Sequence, residues 1–180
     1  MINDYEATKP MTTDAIPAYP PMTSNDEVIS TLNGLIQTCK DGEEGFRDAA
    51  QNVKASDLKT TFYESSQERS RFVGELQALV RSLGGDPADS GTLMGAVHRG
   101  WMDLKTAISA NDERGILSEC ERGEDSAKKA YQDAMAKPLP ETVLDVLRTQ
   151  VRSIFTSHDR IKSLRDAASS EASKTASTNF

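Results

Sequence analysis

Between Val28 and Val53, apolar or small residues recur at alternating steps of four and three: Val28, Leu32, Leu35, Cys39, Gly42, Phe46, Ala49 and Val53. A repeat averaging about 3.5 residues keeps one stripe of a helix turned toward a neighbour over many turns, the pattern of helices in antiparallel bundles. A strand cannot use it, because alternate residues of a strand point to opposite faces. Ser24 followed by Glu27 forms a capping-box pattern ahead of the repeat, so the sequence predicts a helix over 25–54.

The same reading gives three more long helices. One over 57–84, capped by Ser56 with Asp57, carries Leu58, Phe62, Ser65, Arg69, Phe72, Leu76, Leu79 and Leu83 and stops at Gly84-Gly85-Asp86-Pro87. Only a few residues separate it from the first helix, so the two are antiparallel neighbours. A third over 112–136, capped by Asn111 or Asp112, carries Leu117, Cys120, Ala127, Tyr131 and Ala134. The fourth, over 141–168, follows Lys137-Pro138-Leu139-Pro140 and carries Leu144, Leu147, Val151, Ile154, His158, Ile161 and Arg165. Between Gly85 and Asn111, an amphipathic segment places Met94, Val97, Trp101, Leu104 and Ile108 on one face, long enough as a helix to run back along most of a bundle. The expected fold is all-α: a four-helix bundle of two antiparallel hairpins joined by a long crossover that contains a short helix, in one domain over 24–168. Residues 1–23, with Pro10, Pro17, Pro20 and Pro21, read as a disordered N-terminal arm, and 169–180, rich in Ser, Thr, Ala and Lys, as a disordered C-terminal tail.

A length of 180 residues suffices for one full core. The formal net charge of -7, with no basic run, argues against nucleic acid or an anionic membrane as partner. No stretch approaches a membrane span, and the N-terminus lacks a secretory pattern. The two cysteines, Cys39 and Cys120, both fall on apolar stripes and read as small buried thiols of a reducing compartment, which makes the expected location cytoplasmic. Glycine-rich phosphate loops, nucleophile elbows and Cys-x-x-Cys pairs do not occur. In the crossover, His98, Arg99, Trp101 and Asp103 form a cluster of their own. Trp101 is expected to pack on the bundle, while His98 and Arg99 fit a solvated face and a site equally well.

Polar residues interrupt the apolar stripes at matching levels. Glu124 lies on the stripe of the third helix, where an ionised group costs several kcal/mol, on the order of a lost core side chain, unless it is paired. Counted outward from the two turns, Glu43 is level with Arg69 and Glu121 is level with His158, so each hairpin sets an acid opposite a nitrogen base. The expected buried polar layer is Glu43, Ser65, Arg69, Glu124 and His158, with the guanidinium of Arg69 neutralising Glu43 and Glu124 without a metal ion.

This arrangement resembles the ferritin-like four-helix bundles, in which one helix of each hairpin gives a Glu and the other a Glu-x-x-His, together holding two metal ions. Here Phe155 and Ser66 stand three residues before His158 and Arg69, and Arg69 replaces a histidine. The resemblance therefore leaves three metal ligands: Glu43, Glu121 and His158. More specifically, the stretch from Gly95 through His98, Arg99, Gly100, Trp101, Met102 and Asp103 to Lys105, and the stretch Cys120 to Ala127, resemble a bacterial family of ferritin-like bundle proteins of unknown function. The likeness takes in Phe72, Glu75, Leu76 and the Gly84-Gly85-Asp86-Pro87 turn, and spans about residues 25–137. It implies a fold and no reaction. Two functional readings follow. One is a non-catalytic, stress-related or interaction protein without a cofactor, whose surface, tails or interface with a second copy or another protein does the work. The alternative is a metal-binding redox protein with a reduced, single-ion site for iron or manganese at Glu43, Glu121 and His158. The ligand count favours the first.

Overall fold

The computed structural model describes residues 24–88, 104–110 and 112–178, with side chains through 170. Its helices are α1 (Asn25–Asn52), α2 (Ser56–Ser82), α3 (Leu104–Ser109), α4 (Glu113–Met135) and α5 (Glu141–Thr178), and no strand occurs among the described residues. α1 packs on α2 and α4 on α5 as two hairpins, with α1 beside α4 and α2 beside α5. Side-chain bonds set the directions. At one end of the bundle Lys137 Nζ donates to Thr31 Oγ1, and at the other Glu113 reaches the α1–α2 turn, so α1 and α4 are antiparallel. Gln150 meets Glu75 while Arg160 meets Glu64, so α2 and α5 are antiparallel as well. The result is a ferritin-like four-helix bundle whose crossover returns the chain through α3, packed on α4.

Local chemistry sets the start of α1 and the end of α2. Both bonds of the Ser24–Glu27 capping box form. α2 stops where Gly84 takes φ +80°, a conformation that favours glycine, and a Cβ at Gly85 would stand 2.8 Å from the side chain of Ile29.

The start of α2 departs from expectation. Its N-cap is Ala55, not Ser56 or Asp57, and has no side-chain cap of its own. Instead the carboxylate of Glu113, from the first turn of α4, accepts the backbone N–H groups of Lys54 and Ala55. A distant helix thus ties down the amides of the α1–α2 turn just ahead of α2. Glu113→Ala is expected to lower stability by about 1–2 kcal/mol in urea denaturation; an unchanged midpoint would mean that water serves those amides equally well.

At the far end, α5 continues through Thr178, whereas the sequence reading ended the helix at 168 and expected a disordered tail. Nothing between Glu141 and Thr178 is Pro or Gly, and Ala, Glu and Lys in the last turns sustain a helix already under way. The N-terminal arm over 1–23 lies outside the described residues, as do Met94, Val97, His98, Arg99, Trp101 and Asp103 of the crossover.

Two apolar clusters make up the core. The first gathers residues such as Val28, Leu32, Phe72, Leu76, Tyr131, Leu147 and Ile154; the second gathers Phe46, Phe62, Leu104, Ile116, Leu117, Cys120 and Ile161. Between them, at mid-height, lie Gly42, Ser65, Ser66, Arg69, Gly123 and Glu124, all buried, so a polar layer divides the interior. On α5 the buried line runs Val143, Leu147, Gln150, Ile154, His158 and Ile161, while the expected stripe members Leu144 and Val151 are only partly buried.

Candidate functional site: a buried ion-pair layer

The 3.5-residue spacing brings Arg69 of α2 level with Gly42 of α1. A Cβ at 42 would stand 3.3 Å from Arg69 Cγ and 3.4 Å from Cδ, so the glycine gives the aliphatic stem its room. The guanidinium lies 5.5 Å from the centre of the Phe72 ring, in cation–π range. From there it crosses the interior to α4, where Nη2 donates to both carboxylate oxygens of Glu124, at 2.6 and 2.8 Å. Arg69 and Glu124 are each 1 % exposed, which makes this a fully desolvated pair. Ser157 of α5 adds a third helix by donating to Glu124 Oε1 at 3.2 Å.

Burial disfavours the Arg69 charge, but the Glu124 carboxylate more than offsets this and holds the guanidinium above its ordinary range. Glu124 is pushed up by the same burial, while Arg69 and Ser157 pull it back. Arg69 Nη1, on the other side of the guanidinium, has no hydrogen-bond partner among the described residues and lies 3.5 Å from Glu68 Oε2.

A second network starts one turn away. The Tyr131 hydroxyl donates to Gln150 Oε1 at 2.7 Å, and Gln150 Nε2 donates to Glu75 Oε2 at 2.7 Å. With its proton committed to Gln150, Tyr131 Oη is left to accept from the Cys39 thiol at 3.2 Å. The relay therefore runs one way, thiol to hydroxyl to amide to carboxylate, across all four long helices. Burial pushes Cys39 up to about 11 against the pull of Arg69, and raises Cys120 and Tyr131 well above their ordinary values. Both cysteines are free, buried thiols, held in the protonated, unreactive form.

Of the expected polar layer, Ser65, Arg69, Glu124 and His158 are buried and Glu43 is not. The expected Glu43–Arg69 pairing does not form. Glu43 lies one position off the stripe, turns to Arg47 at 3.6 Å on the surface, and meets α2 only through its backbone carbonyl, which accepts from Ser66 Oγ. Nor does Glu121 meet His158. Glu121 pairs with Arg165, while His158 has Nε2 3.1 Å from Asp125 and Nδ1 3.0 Å from Asp159. The three ligands implied by the ferritin resemblance are thus turned to three different sets of partners. No group of three or more His, Cys, Asp or Glu side chains among the described residues is arranged to hold a metal ion. At mid-bundle, where a di-metal site would need a negative cage, the interior already carries the positive charge of Arg69. The donor set does not fit the two metal ions of a ferritin-like centre.

Sequence reasoning missed Gln150 and Cys39 as polar partners of Tyr131, and Glu75 as the partner of Gln150. The signal was the heptad spacing of Val143, Leu147, Gln150 and Ile154, in which a glutamine takes the core position and the apolar Val151 beside it is only partly buried.

A family model described as Domain of unknown function (DUF2383) matches residues 27–137. The chain belongs to that family. Its DUF2383 segment holds Cys39, Gly42, Arg69, Glu124 and Tyr131, whereas Gln150, Ser157 and His158 stand on α5, beyond the matched residues. Among solved structures, this DUF2383 chain is similar to a two-domain protein from Anabaena variabilis ATCC 29413 that contains DJ-1/ThiJ/PfpI-like and ferritin-like domains, with 13 % sequence identity and a TM-score of 0.67. The likeness covers 83 % of this chain and 39 % of the Anabaena chain, and it is a likeness of fold. None of the curated proteins matches. Among the described residues, no helix is long and apolar enough to cross a membrane.

Proposed function

We propose that the chain is a non-catalytic, ferritin-like interaction protein of the cytoplasm, whose bundle is held at its centre by an internal cation, Arg69, in place of metal. The observation that carries this reading is the Arg69–Glu124 pair: a permanent positive charge, 1 % exposed, with both acceptor oxygens on one nitrogen. A guanidinium cannot leave or change oxidation state, so a layer built on it fixes which helix faces meet and offers no redox chemistry. The inert state of both buried thiols supports the same reading. What remains available for function is the surface, where a second copy or another protein would bind.

Elemental analysis of protein purified without chelator tests this. We expect less than stoichiometric iron, manganese or zinc, and a melting temperature that neither chelator nor added metal shifts. One tightly held ion per chain, with stability that rises with its concentration, would replace this reading by the single-ion alternative.

A further inference from the structure

α2 and α5 pack less closely than the other neighbouring long helices, and a cleft of about 340 Å³ opens between them, at the lower end of the range for small-molecule sites. It lies beside the ion-pair layer. Ser157, which lines the cleft, is the residue that donates to Glu124, and Glu68, which lines it too, lies 3.5 Å from Arg69 Nη1. Arg69 itself does not line the cleft, and its Nη1 is buried beneath these two residues.

The walls are hydroxylic, with Ser65, Ser153, Thr156 and Ser157, and their charges balance unevenly. Glu64 is matched by Arg160 across the cleft at 3.1 Å. Glu68 on α2 is held only by contacts of 3.5 Å to Arg69 and Arg71, too long for strong charge-assisted hydrogen bonds. Arg152 on α5 donates Nε to the Arg148 carbonyl and has no carboxylate partner among the described residues. Two opposite, weakly held charges thus line the same cleft. A simple anion would meet Glu68, a simple cation would meet Arg152, and an apolar molecule would strand the hydroxyls.

We propose that this cleft binds a small zwitterion of the free α-amino acid class, its carboxylate taken by Arg152 and its ammonium group by Glu68. This goes beyond the reading above, which rests on metal content and stands or falls separately.

The test is isothermal titration and thermal melting of the full chain with each of the twenty free amino acids, with the N-acetyl and carboxamide forms of any that bind as controls. At least one free amino acid should bind saturably and raise the melting temperature. Blocking either end, or making Arg152→Gln or Glu68→Gln, should weaken it about tenfold or more. If Glu68→Gln lowers the melting temperature by itself, Arg152→Gln, on the exposed face of α5, carries the decision. Saturable binding by none of the twenty, blocked forms that bind as tightly as the zwitterion, or undiminished binding by Arg152→Gln would overturn the proposal.

Discussion

Arg69→Met is expected to destabilise the bundle by on the order of 3–5 kcal/mol, a large fraction of the stability of a single domain. Methionine can fill the channel beside Gly42 where the arginine stem lies, so the loss is not chiefly one of packing. The cost falls on Glu124, which is left 1 % exposed with only the Ser157 hydroxyl to donate to it, and which must then be buried as a bare charge or take up a proton. Arg69→Met combined with Glu124→Gln removes the stranded charge and leaves an amide that still accepts from Ser157. The double variant should recover more than half of the loss, as coupled neighbours in a double-mutant cycle do. Glu43→Gln serves as the control. Because Glu43 faces Arg47 at the surface, its change should stay within about 0.5 kcal/mol. Additive losses from Arg69→Met and Glu124→Gln in urea denaturation would show that the two residues are not coupled.

In alkali the bundle should weaken steeply. Cys39, Cys120 and Tyr131 are kept protonated in the folded chain by burial, while in the unfolded chain they ionise near 9.0, 9.0 and 10.0. The unfolded state therefore binds fewer protons as pH rises, and stability falls with pH. The contribution of Cys39 is fully present below its unfolded value of 9.0 and is lost as pH climbs through its folded value of about 11. At 1.36 kcal/mol per unit, that single thiol accounts for about 3 kcal/mol, and Cys120 and Tyr131 act in the same direction. Urea midpoints from about pH 8 to about pH 11 should show the fall, and Cys39→Ala should make it shallower. A flat profile over that range would show that water reaches these groups in the folded protein.

Much of this architecture was legible in the sequence because the signals that produce it are local. A capping box, a glycine pair ahead of Asp-Pro, a Pro-x-Pro break and four apolar stripes each act within a few residues, and together they define two hairpins. The polar layer was legible for the same reason wherever its members lie on a stripe. Ser65, Arg69, Glu124 and His158 do, and all four are buried. Glu43 and Glu121 each sit one position off. A step of one residue turns a helix by about 100°, enough to send Glu43 to the surface and Glu121 to Arg165.

Partner choice was not legible. Level-counting within a hairpin compares only sequence neighbours, whereas the interior of a four-helix bundle offers each long side chain three other helices. Arg69 reaches past the adjacent α1, where Gly42 lets it through, and finds the carboxylate on the diagonal α4. The tie on the α1–α2 turn follows the same logic, since Glu113 lies more than fifty residues from the amides whose hydrogen bonds it accepts. The sequence by itself determined the helices, their pairing into hairpins and the burial of a charged layer at mid-height, because hydrophobic periodicity and capping are short-range. Only the tertiary structure decided which acid neutralises Arg69, that the thiol of Cys39 hands its proton bond to Tyr131, and that a cleft opens between α2 and α5. Each of these depends on how far apart helices distant in sequence come to rest, and the side chains that pack between them set that distance.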